Sequence, residues 1–453
     1  MEKESKSNLV AIIVIIVLVI ILGVVVYFAI AQNSSNQMDS TQMGMPGGEG
    51  MQQSSTSNAS ENATGATTVD GTQETLSQNY SSTNSDESAI LVKNGGNLTL
   101  SNATVSKSGD SSNTENSEFY GINSGILTTA GSTTTIKNSS ISTSSKGSNA
   151  VFSTGTNAKT YISDSTITTT GSGSARGLDA TYGGYIEADN VKITTQGNSC
   201  ATLATDRGEG TVIAKNSNLE TNGTGSPVIY STGSISISNT TGVANGSQMV
   251  VVEGKNSATV ENSTLSASGQ GNRNNVDNCG IMIYQSMSGD ASTGTGNFTA
   301  TNSSLSIQSN SSYYNNAPMF FVTNTDAVIN LTNTKLDFGS NILLSSKGTS
   351  EWGNSGSNGG NTTLNATNQV LNGNIELDNI STLTMNLNSS SSYTGTINAD
   401  NNAKSVSLTI DMTSKITLTG DSYITSLNDS DSSYSNINFN GYKLYVNGTA
   451  INN

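Results

Sequence analysis

Asp206, Arg207 and Glu209 stand together in the stretch LATDRGEG, and Arg176, Asp179, Tyr182, Tyr185, Glu187 and Asp189 lie a short distance upstream. A guanidinium flanked by carboxylates and phenols can hold a sugar, or a uronate through a bridging Ca²⁺. The plainer alternative is a surface ion pair at a tight turn, worth ~0–1 kcal/mol. Trp352 lies in SKGTSEWGNSGSNGGN, a polar loop expected to have no core to enter, and Tyr313 and Tyr314 lie in SNSSYYNNA. Such loop aromatics either stack on sugar faces or cover an exposed core edge. Histidine is absent, which removes imidazole catalysis and argues against zinc. The net charge of −15 with 18 Lys and Arg argues against a nucleic-acid partner.

What positions these residues is a repeat. Asn followed three residues later by Ile, Leu or Val recurs at Asn102, Asn138, Asn190, Asn216, Asn262, Asn302, Asn333 and Asn368. Asp164 fits with an acid in place of the amide, and Asn239 fits only if Val243, four residues on, is accepted. Successive separations are 36, 26, 26, 26, 23, 23, 40, 31 and 35 residues, a period of 23–26 with insertions. Two and four residues before each Asn sit small or apolar residues, such as Leu100 and Leu98 or Ala214 and Val212. Alternation of period two marks a half-buried strand. A second apolar run opens each unit: AVFS at 150–153, PVIY at 227–230, MVVV at 249–252 and PMFF at 318–321.

A unit this small cannot bury its own apolar face, but stacked copies can. The pattern predicts an all-β fold, a parallel β-helix with one coil per repeat and about 12 coils at ~4.8 Å each. At the bend after each second strand the Asn column is expected to form a ladder of side-chain amides, with several of these Asn buried. An antiparallel sandwich array would instead need short Asn-Gly hairpins and no such column. Tyr182 and Arg207 fall at nearly equivalent coil positions, so they should be neighbours. Cys200 and Cys279 belong to coils three apart, ~14 Å, too far for a disulfide, and are expected in the core.

On this Asn-x-x-apolar repeat, over roughly residues 89–400, the chain resembles the right-handed parallel β-helix family with the pectin-lyase-like fold. Right-handedness is implied by that resemblance and by crossover chirality. Enzymes of the family act on polysaccharides with clustered Asp, or with Ca²⁺ and a basic residue. Only three Arg exist here, and acids do not recur at matching coil positions, so those schemes have little to rest on.

The flanks differ in texture. Residues 1–8 carry Lys3 and Lys6, and Leu9–Ala31 is 23 uncharged residues, long enough to span a bilayer. The next basic residue is Lys93, so the N-terminus is expected in the cytoplasm and the rest outside. Ala29-Ile30-Ala31 resembles a signal-peptidase site, which would leave a secreted chain, but the apolar run is longer than a signal core. Residues 32–87 read as a Ser-, Met- and Gly-rich disordered tether, 88–404 as the β-helix and 405–453 as a C-terminal β cap. No LPxTG-like signal or barrel segment stands at the C-terminus, so anchoring is expected to rest on the N-terminal helix. Together these features predict a membrane-anchored adhesin or carbohydrate-binding protein without catalysis. Its expected partners are extracellular glycans or cell surfaces, and no cofactor is needed beyond a Ca²⁺ that a uronate would require. The alternative is a polysaccharide lyase or glycoside hydrolase using Asp206, Arg207 and Tyr182.

Overall fold

Three short strands separated by bends make one coil, and coils follow one another from Thr64 onward. The computed structural model describes residues 62–451. Strands at equivalent positions pair in parallel, giving sheets of 12, 14 and 10 strands, here sheets 1, 2 and 3 in coil order. A further sheet of 4 strands, starting at Val370–Asn372, takes over in the last coils. At ~4.8 Å per strand the 14 strands of sheet 2 make a stack about 60 Å long. The chain is therefore a parallel β-helix, as the repeat predicts.

Alternation explains how the core closes. In sheet 2, Leu100, Ile136, Ile162, Ala188, Ala214, Ile237 and Val260 pair coil on coil and point inward. In sheet 3 the inward column is Val105, Ile141, Ile167, Ile193, Leu219, Gly242 and Leu265. Asn239 thus keeps the same spacing as its fellows. The inward slot is Gly242, while Val243 pairs beside Glu220. A Cβ on Gly242 would sit 2.5 Å from Leu265 Cδ2 and 2.9 Å from Val228 Cγ1, so neighbouring side chains already fill the space.

Three expectations need correction. The β-helix begins at Thr64–Asp70, not at 88, so 62–86 is its first coil rather than tether, and Glu87 opens the second. That coil reads as linker because its strands TGATTVD, QETL and NYSS bury little apolar surface, Val69 being their one fully buried apolar side chain. Strands Ser405–Ile410 and Ser426–Asp429 continue sheet 2, so stacking also runs past 404. The antiparallel pair Leu444–Val446 with Thr449–Ile451 is the only antiparallel pairing among the described residues. The segments at 1–8, Leu9–Ala31 and 32–61 lie outside the described residues. Among the described residues no helix is long and apolar enough to cross a membrane.

The third correction concerns the Asn column. All nine Asn of the ladder occupy the left-handed region, with φ between 45° and 53°, and all are exposed at the corner between strands. Asn and Asp tolerate that conformation better than other non-glycine residues, which is the local reason for the motif. Side chains of this column meet directly in few steps: Asn190 Nδ2 donates to the Asp164 carboxylate Oδ1 at 2.7 Å and Asn333 Nδ2 to Asn302 Oδ1 at 2.8 Å. The buried ladder is one residue further on. Ser139, Ser165, Ser217, Thr240, Ser263, Ser303 and Thr334 are all buried. The Ser217 N–H donates to Thr240 Oγ1 at 3.2 Å, the Thr240 N–H to Ser263 Oγ at 3.0 Å and the Ser263 N–H to Ser303 Oγ at 3.1 Å. Each hydroxyl in turn donates to a carbonyl of its own coil, Thr240 Oγ1 to Ser238 O at 2.9 Å and Ser303 Oγ to Thr301 O at 2.8 Å. The hydroxyl supplies both donor and acceptor where the strand ladder is interrupted.

Candidate functional site

From Glu87–Lys93 to Ile342–Ser346, sheet 1 is buried on both faces. Its inward residues, from Ile90 through Leu178 to Phe320, join the main core. Its outward column runs Leu91, Leu127, Phe152, Asp179, Ala204, Tyr230, Val251, Met282 and Phe321, paired residue on residue. The long separations in the repeat supply the cover. Residues 108–125 hold the helix Thr114–Tyr120, capped by Asn113 and ended by Gly121 in the left-handed region. Residues 268–280, 285–294 and 347–359 are loops between strands. The helix segment closes over Leu91, Leu127 and Phe152 through Ile122 and Tyr120. Trp352 and Cys279 close over Val251, Met282 and Phe321.

Trp352 is therefore buried, contrary to expectation. Its ring meets Tyr284 edge-on at 5.2 Å. Its loop is polar because only this one ring enters the apolar outer column. Cys200 and Cys279 are both free and buried, and burial raises both thiols, Cys200 to about 11.

Between the two covers lies a cavity of about 350 Å³. Its lining includes Phe119, Arg176, Asp206, Tyr230, Gln248, Glu253, Asp277, Met282, Tyr284, Asp290 and Trp352. At its floor Arg176 Nη1 sits 2.7 Å from Asp179 Oδ2 and 2.6 Å from Asp206 Oδ2, with Asp179 wholly buried. Burial raises both carboxyls against the opposing pull of Arg176, Asp179 to about 6 and Asp206 to about 7. Burial also works against the Arg176 charge, yet Asp206 and Asp179 hold its pKa well above the usual value. Across the cavity, Tyr230 and Tyr284 each donate a phenol O–H to Glu253 Oε2 at 2.8 Å. Burial, with Glu253 beside them, pushes both phenols well above the ordinary range.

The anticipated residues divide between this cavity and its surroundings. Asp206 lines the cavity and accepts the Arg207 backbone N–H at 3.0 Å. Arg207 and Tyr182 are neighbours, the Tyr182 N–H donating to Arg207 O at 3.1 Å. The Arg207 guanidinium lies 3.8 Å from the Phe119 ring centre and pairs with Asp290 at 2.7 Å, so it braces the rim. Tyr182 stacks on Tyr120 at 5.4 Å. The rest lie apart from the cavity. Tyr185 donates to Glu187 at 2.8 Å on the outer side of sheet 2, and Glu209 pairs with Lys255 at 2.8 Å on the exposed surface. Tyr313 and Tyr314 are half-buried in the 308–319 segment, Tyr314 within 3.4 Å of Asp337. No group of three or more Cys, Asp or Glu side chains able to hold a metal ion occurs among the described residues.

Tyr230, Glu253 and Tyr284 were not singled out from the sequence. Their signal was a polar end on an apolar run: PVIY, MVVVE and IMIY. The fold and this cavity together define a parallel β-helix with one covered, pocketed wall. No protein-family model matches the chain, and no curated protein matches it by sequence.

Proposed function

We propose that this protein is a membrane-anchored, cell-surface β-helix of the right-handed pectin-lyase-like kind that binds glycans, without catalysis, through the cavity over sheet 1. One observation carries the reading: three aromatic rings, Tyr230, Tyr284 and Trp352, share a cavity of about 350 Å³ with Arg176, Gln248 and Glu253. Sugars present apolar ring faces edged with hydroxyls, and this mixture of rings and hydrogen-bonding groups suits both. Leu9–Ala31 would hold the β-helix at the outer surface, with Lys3 and Lys6 inside. The full-length protein on a glycan array tests it. Retained glycans that also shift the emission of the sole Trp support the reading; an array without hits overturns it.

A second reading, hydrolysis or elimination, is favoured by Asp206, whose carboxyl burial raises above the usual range, the direction a general acid needs. Both its oxygens are engaged, by Arg176 and by the Arg207 N–H, which ranks this reading second. New reducing ends or unsaturated products from a bound polysaccharide, lost in Arg207→Ala, would reverse that order.

A further inference from the structure

The cavity has a chemical polarity that a generic sugar site does not require. Its lining carries five carboxylates, Glu118, Asp206, Glu253, Asp277 and Asp290, against the two guanidiniums of Arg176 and Arg273, so five minus two leaves an excess of three acids. All five acids accept hydrogen bonds, but only Glu253 leaves a buried oxygen without a donor. Asp206 is paired with Arg176 and Asp290 with Arg207. Asp277 accepts the backbone N–H groups of Asn272 and Arg273 at 3.1 and 2.9 Å, and Glu118 accepts the Ser174 hydroxyl.

Glu253 differs. It is 1% exposed, its Oε2 receives only neutral phenol donors, and its Oε1 has no hydrogen-bond partner. A buried carboxylate oxygen is rarely left without a donor, and a buried carboxylate is rarely left without a cation. Tyr284 and Trp352 line the same cavity, their rings meeting edge-on at 5.2 Å, and the face of Tyr230 already carries a cation, the Arg176 guanidinium at 5.8 Å from its centre. Aromatic rings of this kind favour a cationic group over a neutral one. We infer that the cavity takes a saccharide bearing a free, protonated amine, whose ammonium group donates to Glu253 Oε1 beside the rings of Tyr284 and Trp352. The inference rests on the glycan-binding reading and narrows it to amino sugars.

Titration calorimetry of the full-length protein with three disaccharides tests both levels: the β-1,4 dimer of glucosamine, its N-acetylated form and cellobiose. The free amine is expected to bind at least about tenfold more tightly than either neutral dimer, and more weakly as salt rises. Glu253→Gln keeps an acceptor for the two phenols and should erase that preference while the melting temperature is read in parallel. The comparison on the unaltered protein stands even if this variant folds poorly. Equal binding of all three dimers, or an amine preference that survives in folded Glu253→Gln, overturns the inference and leaves glycan binding in place. Failure of all three dimers to bind, together with an array without hits, overturns both.

Discussion

The corner between sheets 2 and 3 and the outer face of sheet 1 follow opposite rules. At the corner most coils do the same thing: an Asn, or Asp164, in the left-handed region, then a buried Ser or Thr whose hydroxyl joins the coil below to its own, with Val191 and Gln369 among the departures. On the face of sheet 1 each coil differs, and Leu91, Phe152, Asp179, Tyr230 and Met282 succeed one another in a single column. Repetition makes a scaffold because an identical neighbour satisfies an identical group. Departure from repetition makes a site, because dissimilar neighbours leave space, charge and unpaired oxygens between them.

The contrast can be broken at either place. Arg176→Ala should have the largest effect, about 3–5 kcal/mol at neutral pH, since it strands two buried carboxylates. Denaturant unfolding measures it, and a loss below about 1 kcal/mol would mean the ion triad is not structural. Trp352→Ala should cost about 3 kcal/mol by opening a cavity over Val251 and Met282. Intact protein should show blue-shifted emission from this sole Trp, and red emission would mean the loop stands off the sheet.

Ser217→Ala removes one rung of the buried ladder and leaves the Val191 N–H without its acceptor. It should cost about 1–3 kcal/mol by thermal unfolding, despite deleting a single oxygen. Acidity gives a comparable effect of opposite sign. Asp179 and Asp206 are raised to about 6 and 7. Between pH 4 and 7 the folded state therefore holds protons that the unfolded chain has released, and stability should fall as pH rises through that window. Asp411 and Asp431, lowered by hydrogen bonds, act only below it, where their contribution is lost on protonation. A melting temperature that rises from pH 5 to 7 would contradict the assignment. The smallest change is at the corner: Asn216→Ala should cost about 1 kcal/mol through its positive φ, and Asn216→Gly almost nothing.

The corner was legible in the sequence because it repeats. Asn138, Asn216 and Asn262 mark the bend, and the separations of 36, 40 and 35 residues mark where cover is inserted. The hydroxyl ladder was hidden because Asn-Ser and Asn-Thr pairs are abundant in a chain of this composition. The cavity was harder to read for a different reason. Phe119, Arg176, Tyr230, Glu253 and Trp352 converge from coils spread over more than half the chain, and an outward column under a cover has the same apolar texture as a core. Arg207 stands out as half of a DR pair but is half-buried at the rim, while its buried counterpart, Arg176, holds the floor.

The cover also changes how such a rod comes apart. A stack in which each coil touches only the next frays from its ends, one coil after another. Here the Ser174 hydroxyl grips Glu118, 56 residues away, and Arg207 clasps Asp290, 83 residues away, each tie skipping over intervening coils. These long clasps fasten the central coils into one mechanical block. Hydrogen exchange should accordingly find a slow middle flanked by fast ends, with the cavity inside the part that lets go last.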